Sequence, residues 1–151
     1  MELYEVTVKR GEDVRLKISD FVIEKGWDEA IIVGAVGSII ESAYNAPIDN
    51  SIPMHLAVNE CPNAAELVGF NGEIMKREKM DPNLEKIYPD KTSPLFVHIH
   101  ACCATGDGKI YGGGLVKGKA FRAIRVFLTT RELEAGEFCE VLYKAVRGYF
   151  I

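Results

Sequence analysis

The chain has 151 residues, of which 48% are hydrophobic and 26% charged, and its formal net charge is −4 at pH 7. This balance excludes an intrinsically disordered chain and predicts a single domain over residues 1–151. The negative charge gives no overall attraction to phosphate backbones or anionic lipid, so DNA binding would need a local basic patch.

The first half of the sequence predicts a strand, a helix and a long strand. Residues 2–9 alternate between polar and apolar positions, which indicates a half-exposed strand. The segment GEDV then opens a helix, which we expect to end near Gly26. Residues 29–45, EAIIVGAVGSIIESAYN, are rich in β-branched residues and predict a strand bent at Gly34 or Gly37.

The second half predicts a sheet with few helices. After an irregular stretch, residues 65–75 predict either a strand pair or one bent strand around Asn71-Gly72. The polar residues 76–93 predict a long loop. Three strands are then predicted at 94–104, 109–117 and 119–130, and a short helix or strand at 137–151. The fold class is therefore α+β, with a mostly antiparallel sheet.

The strand at 94–104 has one apolar face and one semi-polar face. Its odd positions are all apolar, and we expect that face to join the core. The predicted core consists of Val97, Ile99, Leu115, Ile124, Val126 and Leu128. The even positions are Phe96, His98, His100, Cys102 and Ala104, a face that another element or another subunit usually covers.

Two of the three histidines share that second face. The segment TGDGK fits a three-residue hairpin loop with Gly108 in the left-handed position. This loop places His100 opposite Gly114 and His98 opposite Val116. Because Gly112 and Gly114 carry no side chain, the face has room for a ligand, an ion or an approaching backbone. We expect a cleft with the glycine strand as its opposite wall, at or near a subunit junction.

A histidine pair at i, i+2 on a strand can bind one divalent metal ion such as zinc, but a stable site needs a third or fourth ligand. The candidates for this additional ligand are Cys102, His55, Glu66 or a residue of another subunit. The alternative is a half-buried polar patch, in which each imidazole hydrogen-bonds to a neighbour. The spacing leaves both interpretations open.

The other charged and thiol groups give weaker signals. Glu66 interrupts an apolar stretch. It is either a surface-facing position of a strand or a catalytic base. The four cysteines form no C-x-x-C pair and predict reduced thiols. A cluster of basic residues near the last hairpin indicates either a solvated edge or a site for an anion or a nucleic acid. The cluster consists of Lys117, Lys119, Arg122 and Arg125. The apolar runs are too short to span a bilayer, and the start does not read as a signal peptide, so we expect a cytoplasmic protein without a membrane partner.

Three segments together resemble the plants-and-prokaryotes-conserved (PPC) domain family. They are VKRGEDVRLKISDFVIEKGWDEAIIVGAVGSI, AAELVGFNGEI and VHIHACCATGDGKIYGGGLVKG, in that order. The last segment is similar to the family's H-x-H strand, D-G turn and G-G-H strand. The resemblance implies a sandwich-like α+β fold that assembles as a homotrimer.

The same resemblance implies two classes of function. Some prokaryotic members look like metal binders, and His98 and His100 match their H-x-H histidines. Gly114 stands in place of their third histidine, and Glu66 falls on an acidic position of the family. We therefore expect a binding module with a small-ligand or metal site at His98, His100, Gly112, Gly114 and Glu66, and the sequence leaves catalysis open. The alternative is a DNA-associated regulator, the label common for standalone members, although the chain contains no AT-hook core.

Overall fold

The structure is a computed structural model that describes residues 2–82 and 93–130. In these residues it contains six strands, one α-helix and one 3-10 turn, Arg77–Lys79. The strands and the helix are β1 (Tyr4–Lys9), α1 (Val14–Glu24), β2 (Glu29–Pro47), β3 (Leu56–Glu60), β4 (Ala65–Lys76), β5 (Leu95–Ala104) and β6 (Ile110–Thr130). This confirms the predicted α+β class. The expectations for residues 83–92 and 137–151 lie outside the described residues.

The strands form one antiparallel sheet in the order β1-β6-β5-β4-β2-β3. A further pairing joins β6 to β2, so β2, β4, β5 and β6 close into a ring. Closure requires the long strand β2 to bend, and its register with β6 shifts around Ile32/Gly34 and Gly37/Ile39. Gly37 has φ +145°, and a Cβ there would lie 2.2 Å from the Ala123 carbonyl oxygen. The predicted bend in this strand is confirmed.

Two of the predicted boundaries are wrong. Strand β3 occupies part of the stretch predicted to be irregular. The two strands predicted at 109–117 and 119–130 are one strand, because Gly118 does not interrupt β6 but lets it approach Ile39. Of the two alternatives for residues 65–75, the structure has the single strand: Asn71-Gly72 makes no turn, β4 is continuous, and its irregularity lies between Leu67 and Gly69.

Helix α1 begins and ends where the sequence predicts. The Asp13 carboxylate accepts a hydrogen bond from the Leu16 amide at 2.8 Å and caps the N-terminus. Gly26, with φ +69°, follows the C-terminal residue Lys25 and allows the chain to turn away. The helix packs against β1, β5 and β6 and buries Val14, Ile18, Ser19 and Val22.

The core lies inside the strand ring and beneath the helix. Every odd-numbered residue of β5 is buried, which confirms the predicted apolar face. The six predicted core residues are also buried, at 5% exposure or less: Val97, Ile99, Leu115, Ile124, Val126 and Leu128. No helix in residues 2–82 or 93–130 is both long and apolar enough to cross a membrane.

Candidate ligand site on strand β5

The outward face of β5 carries His98 and His100 between two neighbouring strands. His100 lies opposite Gly114 of β6, as predicted, and opposite Asn71 of β4. The hairpin that sets this register has Gly108 at φ +83°, also as predicted. The pairing of β5 with β6 ends at His100, however. His98 therefore has no paired residue on β6, and the predicted pairing of His98 with Val116 does not form. The cross-strand partner of His98 is Glu73, on β4.

The two imidazoles and the Glu73 carboxylate form one polar cluster, which we call the histidine cluster. The ring centroids of His98 and His100 are 4.8 Å apart in an edge-to-face arrangement. Glu73 Oε1 lies 3.5 Å from Nδ1 of His98, and both side chains are partly buried. A carboxylate beside Nδ1 favours the tautomer that carries its proton there, which leaves Nε2 of His98 as the basic atom.

The histidine cluster borders an open cleft of about 400 Å³. Strands β2 and β4 supply the rest of its wall, so the prediction of a glycine-strand wall is wrong. Gly112 instead lies against β5, where an added Cβ would come within 2.6 Å of the Cys102 Cβ. This glycine allows close strand packing rather than opening space. The described lining consists of Ile31, Ile32, Asn71, Gly72, Glu73, His98 and His100.

The other candidate ligands lie away from the lining of this cleft. Glu66 is exposed, pairs with Ala104 at the far end of β5, and borders a different cleft. His55 is exposed just before β3. Cys102 is partly buried on the same face as His100, but it does not line the cleft. Among residues 2–82 and 93–130, no group of three His, Cys, Asp or Glu side chains could hold a metal ion.

Glu73 is the member of the histidine cluster that sequence reasoning missed. Its position opposite His98 depends on β4 continuing through Asn71-Gly72, where a turn was one of the expectations. Strand alternation alone places Asn71 and Glu73 on one face, but only the β4–β5 register shows which histidine each one faces.

The environment of His100 keeps its imidazole neutral near pH 7. Burial of the ring lowers the pKa of His100, and repulsion from the neighbouring His98 lowers that pKa further. A neutral imidazole has a free lone pair, which a metal ion or a hydrogen-bond donor requires.

We expect an NMR titration to place the pKa of His100 below 6.5, its ordinary value. The substitution His98→Asn should raise this pKa without restoring it fully, because burial remains. Because the pKa of His100 is lower in the folded protein than in the unfolded chain, the unfolded chain takes up this proton at a higher pH. The unfolding free energy should therefore decrease as pH falls below about 6.5. A pKa of His100 at or above 6.5, unchanged in His98→Asn, would contradict this account.

The basic residues near the last hairpin are largely paired with acids. Lys117 Nζ lies 2.9 Å from Glu60 Oε1, and Lys119 Nζ lies 2.7 Å from Glu41 Oε2. Arg125 contacts Glu5 with its Nε 2.8 Å from Oε1. Exposed pairs of this kind add little stability, but they neutralise the patch locally. Three of the four candidate cations therefore offer no net positive surface.

Comparison with solved structures shows the same fold in several prokaryotic proteins. A PPC protein from Pyrococcus horikoshii has a TM-score of 0.66 and 21% identity, over 89% of this chain and 82% of its own. A metal-containing protein from Archaeoglobus fulgidus has a TM-score of 0.66 and 24% identity, over 86% and 79%. A candidate DNA-binding protein from Bacteroides thetaiotaomicron has a TM-score of 0.64 and 14% identity, over 87% and 80%. These identities show a shared fold alone.

A comparison with curated proteins gave no match. A family model does match, over residues 1–132, and its description is the Plants and Prokaryotes Conserved (PCC) domain. The match covers every strand and helix described above. The chain therefore belongs to the PPC domain family.

Proposed function

We propose that this chain is the subunit of a homotrimeric binding protein, and that the cleft at the histidine cluster takes a small ligand or a divalent metal ion such as zinc. The observation that carries the proposal is the pair of imidazoles, 4.8 Å apart and beside Glu73, at an open cleft of about 400 Å³. Polar side chains that converge on a concave surface are typical of small-molecule sites.

The donor set decides what the cleft can bind. His98 offers Nε2 and His100 offers a neutral ring, which gives two nitrogen ligands from one subunit. Zinc sites in proteins use three or four ligands, so one chain leaves the set incomplete. Another subunit or water has to supply the rest. The metal named in the Archaeoglobus fulgidus structure is consistent with a metal ion in this fold.

The surface beside the cleft favours a subunit contact there. Val33, Val36 and Val68 are all more than half exposed on the neighbouring strands β2 and β4. Val33 directly follows Ile32, which lines the cleft. Exposed apolar patches of this kind mark interaction surfaces, and a second subunit on this patch would border the histidine cluster. The homotrimer that the family resemblance implies would place such a contact at each of three junctions.

We expect isothermal titration calorimetry of untagged, chelator-treated protein to show zinc binding that depends on His98. The substitution His98→Ala should weaken that binding at least tenfold, because one imidazole alone makes a poor zinc site. His55→Ala is the matched control and should leave the affinity unchanged, since His55 lies outside the cleft. Equal affinities for the two variants would refute a metal site at the histidine cluster. No zinc binding by the native protein would restrict the cleft to organic ligands.

DNA binding is the second candidate, because two similar structures, from Bacteroides thetaiotaomicron and Ralstonia eutropha, are named as candidate DNA-binding proteins. The net charge of −4 and the paired cations oppose it. In an electrophoretic mobility assay near physiological salt, we expect no shift of duplex DNA at micromolar protein. A shift that weakens steeply with salt would favour the DNA-binding function instead.

A further inference from the structure

A second cleft lies at the end of β5 that leads into the hairpin, away from the histidine cluster. Three strands meet there in direct register. Ser38 of β2 is paired with Glu66 of β4, and Glu66 is also paired with Ala104 of β5. Directly paired residues project from the same face of a sheet, so the Ser38 and Glu66 side chains lie side by side. All three residues line the cleft, whose volume of about 380 Å³ is in the range of small-molecule sites.

The Ser38 hydroxyl is enclosed but has no partner in the described part of the protein. Ser38 is only 6% exposed, and it lines the cleft. Within residues 2–82 and 93–130 its side chain forms no hydrogen bond. Enclosed hydroxyls nearly always have a hydrogen-bond partner, from the protein or from a bound molecule. The cleft is the place from which a bound molecule can supply that partner.

The Glu66 carboxylate also has no partner in the part of the chain that the structure describes. It forms neither an ion pair nor a side-chain hydrogen bond there. The strand acids Glu5, Glu41 and Glu60, by contrast, each lie beside a lysine or an arginine. Glu66 is also the one charged residue among the described lining of this cleft, which therefore carries a net negative charge. Such a lining favours a cation over an anion.

Thr105 gives the cleft a further hydrogen-bond acceptor. Its Oγ1 donates within the hairpin, to the Asp107 carboxylate or to the Lys109 carbonyl oxygen. A hydroxyl has one proton and two lone pairs, so Thr105 can offer the cleft only an acceptor. Together with the two carboxylate oxygens of Glu66 and the Ser38 hydroxyl, the lining is rich in acceptors. It therefore matches a cation that carries several N–H donors.

An aromatic ring from β6 contributes to the same cleft. The register of β2 with β6 shifts at Ser38, where residues 121–123 of β6 lie against this single residue. Such a bulge changes the direction of side chains, and bulges are frequent beside functional sites. Phe121 lines the cleft and is partly exposed, and among the described residues it contacts no other ring and no cation. Its ring face is therefore available to a bound cation.

We propose that this cleft binds a small organic molecule through a protonated primary amine. The ammonium group pairs with the Glu66 carboxylate and donates its other protons to the hydroxyl oxygens of Ser38 and Thr105. The Phe121 ring packs against the cation or against the methylene group next to it. This site is separate from the cleft at the histidine cluster, because the two clefts share no described lining residue.

The test follows the backbone amide signals of Glu66 and Gly106 by NMR in the full chain. The probes are propylammonium, 1-propanol and propionate, which are similar in size and differ in charge. We expect saturable shifts with propylammonium and a Kd of about 1–10 mM, as suits one small charged group. Binding of the neutral and anionic probes should be weaker by about tenfold or more. Binding of either one as tightly as propylammonium would overturn the proposal.

Two charge-removing variants test the location of the cation. Glu66 is exposed, so Glu66→Gln leaves the core intact, and it should weaken propylammonium binding about tenfold. Glu24→Gln is the matched control, because it makes the same change in net charge at an exposed position of α1 that does not line the cleft. We expect this control to keep the native affinity. Equal affinities for the two variants, or no saturable shift in the native protein, would overturn the proposal.

Two further variants separate this site from its surroundings. Phe121→Leu keeps an apolar side chain but removes the ring face, and it should weaken propylammonium binding by about two- to fivefold. His98→Ala should leave this binding unchanged, whether or not the histidine cluster binds a ligand of its own, since His98 does not line this cleft. Loss of propylammonium binding in His98→Ala would place the amine in the other cleft and overturn the proposal.

Discussion

Gly72→Ala should lower the unfolding free energy by about 3 kcal/mol or more, or prevent folding altogether. A Cβ on Gly72 would lie 2.2 Å from the His98 carbonyl oxygen and 3.0 Å from the Ile99 Cα. Both atoms belong to the backbone of the adjacent strand, so no flexible side chain can move aside. The clash would separate β4 from β5 inside the closed ring, where β4 also pairs with β2.

The matched control is Gly106→Ala, in the β5–β6 hairpin. Nothing lies within 4 Å of a Cβ built there, and Gly106 does not have a positive φ. We expect this change to alter the unfolding free energy by no more than about 0.5 kcal/mol. Urea denaturation followed by circular dichroism would measure both variants. Similar midpoints for the two would show that β4 and β5 can separate at Gly72 without cost.

Val36→Asp should convert the proposed trimer into smaller species. Val36 is 65% exposed on β2, within the apolar patch beside the histidine cluster. If a subunit contact covers this patch, the new carboxylate loses its water on assembly, which costs several kcal/mol, and the cation opposite it on β6, Arg125, is already paired with Glu5. Gel filtration with light scattering, at micromolar protein, would report the change in mass.

Val58→Asp serves as the control for this experiment. Val58 is 58% exposed on β3, the strand at one end of the sheet order, away from the β2–β4 patch. We expect this variant to remain a trimer. Dissociation of both variants would point to a wider interface, and an unchanged mass for Val36→Asp would move the subunit contact away from this face. A monomeric native protein would end the trimer proposal.

The parts of the fold that could be predicted from the sequence depend on local patterns. Alternation along β5 identifies its buried face, and Gly108 at the turn sets the register that places His100 opposite Gly114. Both depend on residues close in sequence, where periodicity and turn chemistry decide the outcome.

The parts that could not be predicted depend on pairings between distant segments. Asn71-Gly72 has the composition of a hairpin turn, yet β4 passes straight through it because both its edges are paired, to β2 and to β5. Position 72 requires a glycine because β5 passes close to it, not because the chain turns there. The same long-range register brings Glu73 to His98, so no local pattern could reveal the third member of the histidine cluster.

The position of β1 in the sheet constrains the order in which this chain can fold. Its only strand partner in the described residues is β6, where Tyr4 lies opposite Leu128 and Lys9 opposite Ala123. Strand β1 therefore stays without this partner until the ribosome has made β6, which follows all the other described strands along the chain. Such non-local pairing carries a large loop-closure entropy and slows folding. During synthesis the exposed edge and apolar residues of β1 have to be kept from aggregation by chaperones or by transient local structure.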